Sequence, residues 1–115
     1  MIRIWLGMVL GMLALPAFAH SPLLSSSPAD GAALKTPPQV IDMQFKGTAR
    51  LVRFALTGTA SGDIPLGEDH LMVERHRHII DLPAIGADGY EVRWRALSAD
   101  GHVVTGAFSF TLQAD

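Results

Sequence analysis

The sequence predicts a small all-β domain, an antiparallel sandwich or barrel. Three observations carry that prediction. Apolar and polar residues alternate at period two in four separate segments. Helical periodicity is absent from residues 20–115. Turn-forming clusters of Gly, Pro and Asp interrupt the segments at roughly 8–12-residue spacing, as in small sandwiches.

The chain opens on a targeting pattern. Arg3 supplies a short basic start, residues 4–15 form an apolar run, and Pro16 breaks it. Ala17-Phe18-Ala19 is an A-x-A cleavage site. Residues 1–19 therefore read as a secretory signal peptide, too short for a membrane span without a stop-transfer pattern. Cleavage would leave residues 20–115 as a single domain, enough chain for one core and too little for two.

Within that domain the elements follow in order. Pro28-Ala29-Asp30-Gly31 is a turn, with proline early and glycine last. Thr36-Pro37-Pro38 is an extended entry to the first strong strand, where Ile41, Met43 and Phe45 alternate with Asp42 and Gln44. A second strand has Val52, Phe54 and Leu56 facing inward. Residues 57–67, with three glycines and a proline, form a long loop. Weaker strands fall at residues 70–73 and 78–82. Ala87-Asp88-Gly89 makes a hairpin-type corner. Tyr90, Val92, Trp94 and Ala96 mark one further strand, and Phe108, Phe110 and Leu112 the last. Trp94, the one tryptophan in residues 20–115, is the expected centre of the core.

Charge and composition narrow the function. Removing Arg3 leaves eight Lys and Arg against eleven Asp and Glu, a net charge of −3. Without a basic excess or a basic tract, nucleic acid is excluded as the expected partner. There is no cysteine, hence no disulfide and no thiolate metal site. A bacterial periplasm is the compartment that fits.

The candidate chemistry rests on histidine. Cleavage after Ala19 would put His20 at a free N-terminus, where one residue offers an α-amine and an imidazole Nδ1 that close a small chelate ring on a metal. Such nitrogen sets suit copper(II), nickel or zinc, and intrinsic affinity favours copper(II). Asp100 and His102 lie two apart around Gly101, in a loop between two strands. Extended spacing puts both side chains on one side of the chain. Taken alone, Asp-Gly is ordinary turn sequence, with His102 a surface histidine. His76 and His78 would share a strand face, either as solvated histidines or as an accessory metal site, with Arg75 and Arg77 interleaved. His70 follows Glu68-Asp69 in what reads as a polar loop.

Two separated motifs carry a family resemblance. His20-Ser21-Pro22-Leu23, followed by Ser27-Pro28-Ala29-Asp30-Gly31, resembles the mature start of the CopC family of periplasmic copper-binding, copper-resistance proteins. Residues 90–106, with Tyr90, Val92, Trp94-Arg95, Ser98, Asp100, His102 and Gly106, resemble that family's second signature. Residues 41–45 are similar to its first core strand. The resemblance implies a Greek-key, cupredoxin-like (Ig-like) β-sandwich or barrel. It implies that His20 gives its amine and ring nitrogen to Cu(2+), that His102 gives a third nitrogen, and that Asp100 is a weak ligand or orients one. It also implies a copper chaperone or buffer in resistance or uptake, with an inner-membrane CopD-type copper transport protein as partner.

Two departures from the family pattern are expected to matter. Some members carry an acidic residue after the first core strand, where this chain has Lys46-Gly47. Some carry a methionine-rich copper(I) loop, whereas only Met43 and Met72 lie in residues 20–115. A copper(II)-only member is therefore expected. Other functional classes remain distinguishable. A terminal-histidine amine with two imidazoles is also the brace of copper polysaccharide monooxygenases, but this chain has few aromatic anchors for a sugar. A structural sandwich without metal would bind no copper(II) at all. The expectation is a binding protein, not an enzyme.

Overall fold

Seven strands and no helix make up the computed structural model, which describes residues 23–114. The signal-peptide reading of residues 1–19, and His20 with it, lie outside the described residues. The strands are β1 (Leu23–Ser27), β2 (Ala32–Leu34), β3 (Val40–Gly58), β4 (Gly62–Ile64), β5 (Glu74–Asp81), β6 (Asp88–Ser98) and β7 (Val103–Leu112). They form one curled sheet in the order β1-β3-β6-β7-β2, with β4 and β5 also paired to β3. Every pairing is antiparallel except β2 with β7, which runs parallel. The all-β prediction holds; that parallel edge is the exception to a purely antiparallel sheet.

The two strands expected at residues 41–45 and 52–56 are one strand of 19 residues. Its first part pairs with β1 and β5, and its second with β6 and β4. Lys46-Gly47 falls inside it, so this Gly marks no break in the strand. Between its two parts the register against β5 slips by several residues, from Gln44 opposite Arg77 to Ala49 opposite Arg75. That slip lets one strand serve both parts of the curled sheet.

A bulge also corrects the expected inward set. Leu51 lies opposite Ala96, but Arg53 lies opposite Arg95. Val52 is thus one extra residue on β3, and the bulge reverses which parity faces the core. Ala49 and Leu51 are buried before it and Leu56 after it, while Val52 and Phe54 are only half-buried. Period-two reasoning alone put Val52 inside, and the bulge is why it is not.

Other corrections follow from turn chemistry. Residues 70–73, expected as a strand, are a turn in which Met72 has φ 65° and its amide bonds Leu51 O at 2.8 Å. The strand expected at residues 78–82 starts at Glu74. The corner at Asp88 is no hairpin, because β6 pairs with β3 and β7. Its carboxylate instead collects the amides of Ala60, Ser61 and Gly89 and the Ser61 hydroxyl. The hydroxyl and amide of Ser61 hold the Asp88 carboxyl down to about 2. The turn at Pro28–Gly31 is present, with Gly31 at φ 83° and its amide bonded to Ser109 O at 2.7 Å.

The core holds Ile41, Met43, Phe45, Leu51, Leu56, Ile80, Tyr90, Val92, Trp94, Phe108, Phe110 and Leu112. Each large side chain contributes about 1.5–3 kcal/mol by leaving water. Trp94 is central as expected: Phe45 meets it edge-on at 5.3 Å between ring centroids. Its indole lies across Gly106, the residue opposite it on β7. A Cβ at Gly106 would stand 2.5 Å from Trp94 Cζ2, inside any real contact distance. The indole is buried and rigid, so it has no free space to give. Gly106→Ala is expected to destabilise the domain by about 1–3 kcal/mol. Urea unfolding measures this, and an unchanged midpoint would contradict the packing described.

Candidate metal centre

The β6–β7 hairpin carries the Asp100-Gly101-His102 loop as predicted. Gly101 sits at φ 88°, a conformation that favours glycine and turns the chain between the two ligand candidates. Backbone bonds close the loop: Ser98 N–H donates to His102 O at 2.9 Å and Gly101 N–H to Ser98 O at 3.0 Å. The structure brings Asp100 and His102 together, with His102 Nδ1 at 3.0 Å from Asp100 Oδ2. Both side chains are largely exposed.

Ser98 completes this arrangement. Its hydroxyl donates to Asp100 Oδ1 and accepts the His102 amide at 3.2 Å. The Ser98 hydroxyl, and then His102, hold the Asp100 carboxyl below its ordinary range. Asp100 is therefore a carboxylate at neutral pH and accepts the Nδ1 proton of His102. That fixes the tautomer and leaves Nε2 with its lone pair free for a metal. Sequence reasoning gave Ser98 no role. Its signal was the i, i+2, i+4 spacing of Ser98, Asp100 and His102.

One imidazole and one carboxylate do not make a complete site. Among the described residues, no group of three or more His, Asp or Glu side chains could hold a metal ion. The third expected contributor, His20, lies outside them.

Of the other described histidines, His70 and His78 line one small pocket with Asp69, but they belong to no group of three that could hold a metal ion. His78 is 2 % exposed, not solvated, and Phe45 meets its ring edge-on. Its Nε2 lies 3.0 Å from both Ala49 O and Arg75 O, so it carries the proton and shares it between two carbonyls. His76 is exposed on the same strand. His70 is half-buried, edge-on to Phe54 at 5.6 Å. His78 is thus a tie between β5 and β3 where their register slips.

That burial has a pH consequence. Desolvation pushes the His78 imidazole below its ordinary value, and burial does the same to His70. The unfolded chain then takes up a proton near pH 6.5 that the folded chain refuses. Stability is full above about pH 6.5 and falls as the pH drops below it. His78→Gln keeps an N–H donor and is expected to flatten part of that slope, with His70 supplying the remainder. Urea midpoints between about pH 7.5 and 5.5 measure this, and parallel curves for the two proteins would contradict it.

Comparison with known proteins bears on the same residues. A family model described as the CopC domain matches residues 23–113. The chain belongs to the CopC family. Its CopC relatives include Copper resistance protein C of Pseudomonas syringae pv. tomato, 31% identical over 93% of this chain and 89% of that protein. Copper resistance protein C of Escherichia coli is 29% identical over 93% of this chain and 91% of that one. Copper transport protein CutJ of Bacillus subtilis (strain 168) is 27% identical over 96% of this chain, which spans only 21% of CutJ. The crystal structure of CopC from Methylosinus trichosporium OB3b has the same fold, with a TM-score of 0.66 at 23% identity over 83% of this chain and 95% of that one. PcoC of Escherichia coli superposes with a TM-score of 0.60 at 25% identity, over 79% of this chain and 98% of PcoC.

Proposed function

We propose that this CopC-family protein is a periplasmic copper(II) chaperone or buffer, produced by removal of residues 1–19. In this reading the His20 amine and Nδ1 and the His102 Nε2 bind Cu(2+), and Asp100 holds His102 in place. The observation that carries it is the Ser98–Asp100–His102 array, which presents an exposed imidazole held by Asp100 through Nδ1 and leaves it one ligand among too few. The relatives' names, copper resistance and copper transport, support copper as the cargo.

The path of β1 supports His20 as the missing ligand. Leu23 lies opposite Phe45 and Ser27 opposite Asp42, so β1 runs away from the end of β3 where Ala49 pairs with Ser98. Leu23 is therefore the end of β1 nearer to the loop that follows Ser98, and His20 precedes it by three residues in the sequence. Imidazole, imidazole and amine form a nitrogen set that copper(II) favours. Copper is held here for transfer, and a CopD-type copper transport protein of the inner membrane is the proposed recipient. A non-enzymatic role follows from the same reading.

Titration of the exported protein with copper(II) tests it. The expected result is one ion per chain and an EPR spectrum with three coupled nitrogens. Absence of tight binding would return the protein to the metal-free structural class. Reductant-dependent oxygen consumption by the copper-loaded protein would favour the monooxygenase class.

A further inference from the structure

The outer face of the β3–β6–β7 sheet gathers three arginines, two of which have no acidic partner among the described residues. Arg53 on β3 lies directly opposite Arg95 on β6, and Arg95 lies opposite Thr105 on β7. In the next outward row Arg93 stands between Ala55 and Ala107. These residues line one open groove whose floor is Ala55, Thr105, Gly106 and Ala107. All three arginines are exposed.

Like charges directly opposed across an antiparallel pair destabilise a sheet. Elsewhere the sheet pairs Arg50 with Glu74 and Arg77 with Asp42, while Arg75 stands alone on β5, with no other arginine directly opposite it. Arg93 is paired to Glu91 at 2.9 Å. Among the described residues, Arg53 and Arg95 have no carboxylate within 4.0 Å. The clustering does not come from composition, because the chain is net acidic.

We propose that this groove docks an acidic segment of a partner protein, lying extended across the three arginines. Guanidinium forks match carboxylates bidentately. Arg93 and Arg95 stand two residues apart on one strand, about 6.6–6.8 Å. Alternate residues of an extended acidic segment repeat at the same distance, so an acid-x-acid pattern meets them in register. The floor of small side chains admits a backbone at close range. A membrane surface fits less well. The large exposed apolar residues, Leu24, Val40, Met72, Ile79 and Val103, lie outside the groove, so nothing in it inserts into lipid. Three arginines also fall short of the four to eight cations of a typical lipid-binding cluster. Arg95 and Thr105 sit three residues from Ser98 and His102 on the two arms of one hairpin, about 10 Å along the strands. A partner docked here lies beside that loop, although docking itself does not depend on copper.

NMR of the 15N-labelled protein tests the proposal, with a synthetic Glu-Thr-Glu-Thr-Glu peptide as probe and its Gln-for-Glu version as control. Saturable shifts are expected at Arg53, Ala55, Arg93, Arg95, Thr105 and Ala107 with the first peptide alone. Binding should weaken at least about tenfold at about 0.3 M salt and to a similar degree in the Arg53→Thr, Arg95→Thr double variant. That variant should melt at the same temperature or up to a few degrees higher, because it removes a repulsion. Four results would overturn the proposal. One is shifts spread equally over Arg50 and Arg77. Another is unchanged peptide binding by the double variant. A third is a melting temperature lowered by several degrees, which would make the arginines structural. The fourth is tighter arginine-dependent binding of inorganic phosphate or phosphatidylserine vesicles, which would assign the groove to a simple anion or to lipid.

Discussion

His102→Ala is expected to lower copper(II) affinity by at least about a hundredfold while the domain stays folded. Loss of a group that merely orients a ligand typically costs 10–100-fold, so loss of the ligand itself should cost at least the upper figure, about 2.7 kcal/mol. The fold should not feel the change. The His102 side chain is 77 % exposed, and its one described partner is the equally exposed Asp100. The loop closes through the backbone of Ser98, Gly101 and His102, which alanine retains. Exposed substitutions of this kind stay within about 0.5 kcal/mol, or a few degrees in melting temperature. Competition with a chromophoric chelator measures the affinity, and EPR counts the nitrogens. An unchanged affinity and spectrum would remove His102 from the site.

The loop could be predicted from local sequence because its geometry is local. Asp100, Gly101 and His102 are neighbours, Gly101 supplies the positive φ, and spacing alone brings carboxylate to imidazole. The same holds for the strands of Tyr90 to Ala96 and Phe108 to Leu112, whose alternation runs unbroken through β6 and β7. Prediction failed where a distant partner decides the outcome. Val52 faces partly outward because β6 accommodates a bulge there, and nothing in residues 51–56 announces it. His78 looked like a surface histidine in a run where arginines and histidines alternate. It is buried because the β5 register slip brings Ala49 O and Arg75 O to its Nε2. The opposition of Arg53 and Arg95 is likewise invisible at a separation of 42 residues, and it depends on that same bulge. Alternation reports which residues share a face within a strand; it does not report which strand lies beside it.

An extra residue placed ahead of His20 in the processed chain is expected to weaken copper(II) binding still further, by about 10²–10⁴-fold. The added residue turns the α-amine into an amide, which cannot coordinate as an amine does. One imidazole of a chelating pair then binds without the other donor, and the effective concentration supplied by the ring is lost. The pH dependence gives a second and independent readout. A free α-amine has a pKa of about 7.7–8.0 and must shed its proton to bind. Copper therefore competes with that proton below pH 8, and affinity should drop by about tenfold for each unit the pH falls. The extended chain has no such amine at His20 and should lose that share of the slope while keeping the share due to imidazole. The chain with residues 1–19 still attached is in the same position, because Ala19 acylates the His20 nitrogen. A processed site of this kind would be silent before export and competent after it. Equal affinity and equal slope in the two forms would show that the amine is no ligand, and the site would then need a third donor other than the one proposed.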